Sequence, residues 1–155
     1  MSLANKILTI SILSFHLILL PSFCLKGQPS VLVVIDPLVE NEISNITSTY
    51  PAQRVITLPD EGNPIRFIAN ELKKSLYDEI HLYLLTKPGS IIFDEINILP
   101  ENIQMYSAEF SEWKSIGKPE LKVIIHSDNL TSGQEGELLV KKITEFTGKI
   151  VIVRK

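Results

Sequence analysis

The stretch DEIHLYLLTKPGSIIFDEINIL, Asp78–Leu99, indicates the kind of fold this chain adopts. Its run IHLYLL is a nearly continuous apolar segment, which is typical of a strand that is buried on both faces of a parallel sheet. The letters TKPGS that follow are ordinary turn chemistry, and SIIFDEINIL then favours an extended excursion. We therefore predict a buried strand, a polar loop and a small β-hairpin over Ser90–Leu99. The loop offers a threonine and a lysine but no evident catalyst.

Strands and helices alternate along the rest of the chain. The predicted strands are Val31–Asp36, Gln53–Leu58, Glu79–Leu85, Leu121–His126 and Lys149–Val153. Proline, asparagine and glycine at their ends delimit the predicted helices. The first is a short helix from Pro37 to Ile46, and the second is capped by Asn63 and ends near Leu76. The third runs from Pro100 to Gly117, and its buried side carries Ile103, Tyr106, Phe110 and Trp113. The last helix ends at Gly148.

This alternation predicts an α/β fold. Right-handed crossovers between parallel strands favour a three-layer α/β/α sandwich with a mostly parallel five-stranded sheet, wound as in flavodoxin-like domains, and with a small β-hairpin after strand three. In such sheets ligands bind beyond the carboxyl ends of the strands, at the point where the strand order reverses. The search for a site therefore starts at those strand ends.

The first 27 residues have the parts of a secretory signal. Lys6 precedes an apolar run, Ile7–Leu20, which is shorter than the roughly 20 residues of a membrane-spanning helix. Cleavage is expected after Cys24 or after Gly27. Either cut leaves a single domain, which we assign to residues 28–155. We therefore expect an exported chain without a stable transmembrane span. A lipid anchor at Cys24 is the less favoured alternative, because the bulky Phe23 precedes the cysteine.

Composition narrows the function. Without residues 1–27 the chain keeps 13 basic and 18 acidic residues, a net charge of −5, with no basic stripe, so nucleic-acid binding is not expected. The chain has a single cysteine, Cys24, so a folded domain beginning at residue 28 would have neither a disulfide nor a thiol nucleophile. No metal-ligand spacing and no glycine-rich phosphate loop is present, so we predict no metal centre and no cofactor.

Polar residues follow the predicted strands and define a candidate binding cleft. This set comprises Asp36, Thr86, Lys87, His126, Ser127 and Asp128. Asp36 also suits a simple helix cap. The letters HSD resemble a compressed serine triad, but alternate strand residues face opposite ways. A His126–Asp128 dyad would have to borrow a nucleophile from Thr86 or Ser90.

His81 is predicted to stand apart from this cleft. It lies near the start of the third strand, so it would be about 15 Å from the carboxyl end if that strand reaches Leu85. We predict an exposed or hydrogen-bonded edge histidine there.

Several segments together resemble a known family. They are VVID at the end of strand one, HLYLLTKPGSIIF, YSAEFSEW, LKVIIHSDN, and GELLVKKITEFTGKIVIV. In order and spacing they are similar to the caspase-like domain of unknown function found near the N-terminus of large bacterial surface and adhesin-type proteins. The resemblance covers Val31–Val153. It implies a peptidase dyad, a histidine–glycine pair after strand three and a cysteine after strand four.

This chain lacks that dyad. By position the histidine falls on Leu85 and its glycine on Thr86, and the cysteine falls on Asp128, or on Ser127 if the loop is one residue shorter. A leucine can neither accept nor donate the proton that activates a nucleophile, and an aspartate does not replace a thiolate. Leu85 and Asp128 are therefore degenerate positions, and no catalytic residue is predicted.

The leading hypothesis is a secreted or cell-surface module that is not an enzyme and that binds an unknown protein or surface component. The hairpin at Ser90–Leu99 and the loop at Ser127–Gly136 are the expected contact surfaces. The alternative is a hydrolase of another class that uses Asp36, His126 and Asp128. A third hypothesis is an inhibitor that masks a related peptidase.

Overall fold

A computed structural model describes residues 29–42, 54–93 and 96–155 of the chain. The predicted leader, residues 1–27 with Cys24, lies outside the described residues. The part of the predicted helix that follows residue 42 lies outside them as well. The structure therefore bears on the folded domain and not on the leader.

Within the described residues, eight strands form two sheets. They are β1 (Val31–Ile35), β2 (Arg54–Thr57), β3 (Glu79–Tyr83), β4 (Leu85–Lys87), β5 (Ser90–Phe93), β6 (Ile96–Ile98), β7 (Lys122–His126) and β8 (Ile150–Arg154). Five of them form a parallel sheet in the order β2-β1-β3-β7-β8, and β4, β5 and β6 form a small antiparallel sheet. The predicted α/β class with a mostly parallel five-stranded sheet is confirmed.

The structure describes three α-helices, α1 (Pro64–Leu72), α2 (Ser107–Glu112) and α3 (Gln134–Thr147). The predicted N-cap of α1 is confirmed, because the Asn63 side chain accepts the Arg66 N–H. The predicted end of α3 is confirmed as well, because Gly148 follows its last residue with φ of 61°. Helix α1 ends before the expected Leu76, because the chain turns to bury Tyr77 in the core. The helix expected from Pro100 is shorter and is flanked by 3₁₀ turns, Ile103–Tyr106 and Trp113–Ser115.

The strand order determines which face each connection covers. The step from β1 to β2 runs in one direction across the sheet, and the three later crossovers run in the other. Because such crossovers are right-handed, α1, α2 and α3 share one face. Their apolar side chains pack there against strand residues such as Leu82 and Ile125. On the opposite face, Val39 of the 3₁₀ helix Pro37–Glu42 packs against a smaller cluster of Val31, Val33 and Ile35.

The third strand is shorter than predicted. It ends at Tyr83, and Leu85–Lys87 turns away to pair with Ser90–Phe93 as a hairpin around Pro88 and Gly89. Gly89 has φ of 72°, a conformation that glycine adopts without strain. The small sheet therefore begins before the expected Ser90. An apolar run cannot reveal this exit, since the residues on both sides of it are at least half-buried.

Candidate functional site

Two recesses open at the carboxyl ends of the parallel strands. The first, which we call the strand-end cleft, has a volume of about 420 Å³ and is lined by residues that include Leu85, Thr86, His126, Ser127 and Asp128. The second, the acidic groove, has a volume of about 550 Å³ and is lined by residues that include Asp36, Leu38, Asp60, Glu61 and Phe93. Both sizes are within the usual range for ligand sites.

The strand-end cleft contains a closed polar cluster. The Thr86 and Ser127 hydroxyls lie 2.7 Å apart, so one donates to the other, and Asn129 Oδ1, which is 3.1 Å from Thr86 Oγ1 and 3.3 Å from Ser127 Oγ, accepts the remaining hydroxyl proton. Ser127 Oγ also accepts the backbone N–H of Leu130 at 2.9 Å. These bonds join β4 to the loop after β7. The hydroxyls therefore stabilise the loop that follows β7.

The six predicted cleft residues do not converge on one point. Thr86, His126, Ser127 and Asp128 line the strand-end cleft, whereas Asp36 lines the acidic groove. Asp36 is only 2% exposed, and its Oδ1 accepts the Leu38 N–H at 2.8 Å, as a cap of the following 3₁₀ helix does. Asp128 and Lys87 have exposed side chains.

The expectation of an exposed or hydrogen-bonded edge histidine is confirmed for His81 only in its hydrogen bonds, and it is wrong in its position at an edge. Because β3 ends at Tyr83, His81 lies two residues from the carboxyl end, about 7 Å along the strand. It sits on a central strand and is 2% exposed. Its Nδ1 lies 3.0 Å from Nε2 of His126, and the His126 ring stacks on Tyr83 with centroids 4.1 Å apart. The buried His81 and the half-buried His126 thus join the sheet interior to the strand-end cleft.

The hydrogen bonds assign the tautomers of this pair. His81 Nε2 lies 3.2 Å from Glu79 Oε2, and Lys122 also binds Glu79. Burial opposes ionisation of Glu79, but the hydrogen bonds from His81 and Lys122 outweigh it and lower the pKa. A neutral His81 that donates to Glu79 must accept at Nδ1, so His126 donates from Nε2. This leaves Nδ1 as the acceptor nitrogen of His126.

Both histidines are held neutral. Burial, with the nearby His81 and Arg154, lowers the pKa of His126 to about 4. Burial also lowers the pKa of His81, against the favourable effect of Glu79. Burial is the main cause for both histidines, and for His126 a positive charge on His81, whose Nδ1 is 3.0 Å from Nε2 of His126, would lower the pKa further. The two neutral histidines therefore form a hydrogen-bonded pair on the face of the sheet opposite α1, α2 and α3.

The strand-end cleft contains hydroxyl groups and a histidine, which are the groups that acid–base catalysis uses, but they are not arranged for it. Within the described part of the chain, neither the Thr86 nor the Ser127 hydroxyl is hydrogen-bonded to His126. Across 29–42, 54–93 and 96–155 no group of three or more His, Cys, Asp or Glu side chains could hold a metal ion. Over the same residues no helix is both long and apolar enough to span a membrane.

Sequence reasoning missed the His81–His126 contact because it requires the register of two distant strands. His81 pairs with Ile124 and Tyr83 with His126, so the two histidines are diagonal neighbours on one face. Sequence analysis could have predicted the contact only from the correct end of β3, because that end places both histidines near the carboxyl edge of the sheet. Tyr83, which stacks on His126, was missed for the same reason.

The fold and its strand ends define an α/β domain with a doubly wound parallel sheet and a small antiparallel sheet beside its carboxyl edge. The sequence profile of the family described as domain of unknown function DUF4347 matches residues 32–154, and the chain belongs to that family. Comparison with curated proteins and comparison with solved structures found no match.

Proposed function

We propose that the chain is an exported, non-catalytic binding or structural module, a caspase-like domain that has lost its peptidase dyad. The closed Thr86–Ser127–Asn129 cluster carries this proposal. A nucleophilic hydroxyl needs a base within hydrogen-bond reach, but these two hydroxyls bond to each other and to Asn129. The cluster is well suited to hold a recognition loop in one shape.

The residues at the two dyad positions support the same proposal. Leu85 stands on β4 opposite Ile92 and is half-buried, so its side chain contributes packing where the resemblance implies a histidine. Asp128 is exposed on the loop after β7, where a thiol would be expected. Neither side chain can activate or become the nucleophile of a peptidase.

Export and a surface context rest on the leader and on the resemblance. The partner is an unknown protein or surface component. The hairpin that continues to Leu99 and the loop Ser127–Gly136 offer it contact surfaces, because loops on a rigid scaffold usually carry recognition. A lipid anchor at Cys24 would keep the domain at a membrane, whereas cleavage after Cys24 or Gly27 would release it.

Turnover measurements test the catalytic part of the proposal. The purified protein is incubated with fluorogenic peptide and ester libraries, alongside Asp128→Asn and Asp36→Asn. We expect no turnover above the protein-free rate in any sample. Turnover that falls at least about tenfold in either variant would instead establish the hydrolase alternative with Asp36, His126 and Asp128.

Mass spectrometry of the product tests export. The full chain is expressed with a C-terminal tag in a bacterial host, and the periplasmic and medium fractions are collected. We expect a mature N-terminus at Leu25 or Gln28. A tagged chain that keeps Met1 in the cytosol would contradict export. Specific co-purification of a peptidase would favour the inhibitor hypothesis over a surface role.

A further inference from the structure

We infer that the acidic groove binds an extended peptide segment of a partner protein that alternates aliphatic and basic side chains. This inference rests on the proposed binding function and names the surface and the partner chemistry. The groove lies at the carboxyl ends of β1 and β2, between the loop after β2 and the small sheet. It is separate from the strand-end cleft, where the resemblance places the lost dyad.

Apolar side chains form the walls of the groove. Leu58 and Phe93 are 5% and 6% exposed and are anchored in the core, while Leu38 projects from the 3₁₀ helix and is 54% exposed. Pro59 and Pro64 complete the lining on the side of the loop after β2. Leu38, Leu58 and Phe93 together form an apolar surface in the groove. An aliphatic side chain of a ligand that covered it would remove apolar area from water.

The rim of the groove is acidic. Asp60 and Glu61 have exposed side chains, and neither forms an ion pair with any other described residue. Asp36, which is 2% exposed, is the third acidic residue of the lining. Among the described residues that line the groove, none is basic. A recess with one sign of charge attracts the opposite sign, so the ligand is cationic.

The groove is built from rigid parts, which favours binding without a large ordering cost. Proline at 59 and 64 restricts the backbone on either side of the acidic pair. Asn63 ties the end of this loop to α1 through its bond to the Arg66 N–H, and to α2 through Glu109 at 3.2 Å. A volume of about 550 Å³ suits a few residues of an extended chain.

Backbone NMR with defined peptides tests this inference. The probe is a blocked Lys-Leu-Lys-Leu-Lys peptide, with Glu-Leu-Glu-Leu-Glu as the charge-reversed control, titrated into the ¹⁵N-labelled protein. We expect saturable shifts for the basic peptide alone, centred on the amides of Asp60, Glu61 and Phe93. The affinity should fall at least about tenfold between low salt and about 0.5 M salt, because rim charges are screened.

Matched variants separate a groove from general attraction to an acidic protein. Asp60→Lys with Glu61→Lys should weaken binding by at least about tenfold. Glu120→Lys with Glu137→Lys makes the same change in net charge at exposed positions outside the lining, and should leave affinity within about twofold. Leu38→Ser removes an exposed apolar wall with little effect on folding, and should weaken binding by about fivefold.

The outcomes distinguish the two proposals. Equal weakening by both double variants, or shifts centred on the Ser127–Gly136 loop, would overturn the groove assignment and leave a binding module intact. Absence of saturable binding by the basic peptide would also overturn it. Cleavage of the bound peptide, detected by mass spectrometry, would instead contradict the non-catalytic function while leaving the groove as its binding site.

Discussion

Replacing Gly136 with alanine offers a sharp test of how the domain is assembled. Gly136 lies in the first turn of α3, and a Cβ built there would be 1.8 Å from the carbonyl oxygen of Leu130. Real Cβ atoms essentially never approach closer than 3.0 Å, so the carbonyl would have to retreat by about 1.2 Å. That oxygen also accepts the N–H of Gly89 at 3.0 Å, so the hairpin turn resists its movement.

The expected change in stability follows from three opposing contributions. Alanine in a helix is favoured over glycine by about 1 kcal/mol. Forcing an extra carbon into a packed junction costs about 2 kcal/mol, and losing the Gly89–Leu130 hydrogen bond costs about 1 kcal/mol more. We therefore expect Gly136→Ala to lower the free energy of unfolding by about 2 kcal/mol. The sign is opposite to the one that helix propensity predicts.

Urea denaturation followed by Trp113 fluorescence measures this change, since Trp113 is the single tryptophan and is 1% exposed. At a typical slope of about 2 kcal/mol per molar, the midpoint should fall by about 1 M. Gly133→Ala is the control, because its backbone is extended and a Cβ there meets nothing within 4 Å. It should change stability by less than about 0.5 kcal/mol. A Gly136→Ala protein as stable as wild type would refute the reasoning.

Three further predictions concern the histidine pair, a helix cap and the core. Because the folded-state pKa of His126 is about 4, below its ordinary 6.5, the unfolded chain binds more protons between these values. Stability should therefore fall by on the order of 3 kcal/mol as the pH drops from 6.5 to 4, and His126→Gln should flatten this dependence in pH-resolved urea titrations. Asn63→Ala should cost about 1 kcal/mol in thermal melts and Asn63→Ser less, whereas equal stability of all three would contradict the cap. Trp113→Phe removes the 3.2 Å bond from the indole N–H to the Ile65 carbonyl, which keeps its main-chain donor within α1, and leaves a cavity where a side chain is 1% exposed; it should cost about 2 kcal/mol by circular dichroism, and a loss below about 0.5 kcal/mol would show that the core closes around the smaller ring.

The sequence predicted the parallel sheet well because its signals are local. The run VLVVI is buried throughout and β-branched except at Leu32, and the buried β-branched residues VII mark β7. Asn63 and Pro64 predict the start of α1, and Gly148 predicts the end of α3, since each suits one backbone conformation at that position. The alternation of strands and helices then restricts the topology to right-handed crossovers.

The same local signals misjudged the end of β3. Tyr83, Leu84 and Leu85 are all apolar, but the strand of the main sheet ends at Tyr83 and Leu85 belongs to a hairpin in another sheet. Burial alone cannot distinguish these two places, because an apolar residue is stabilised equally in either. That shift of two residues is the reason His81 was placed too far from the carboxyl edge.

The sequence by itself determined the fold class, the order of the strands and helices of the main sheet, and that neither Leu85 nor Asp128 offers a histidine or a cysteine. These depend on residue type and on spacing along the chain. Only the tertiary structure decided which side chains meet. His81 contacts His126, whereas Asp36 and Thr86 line different recesses. Both facts depend on strand register and on the direction of each loop, which arise from packing between distant segments of the chain.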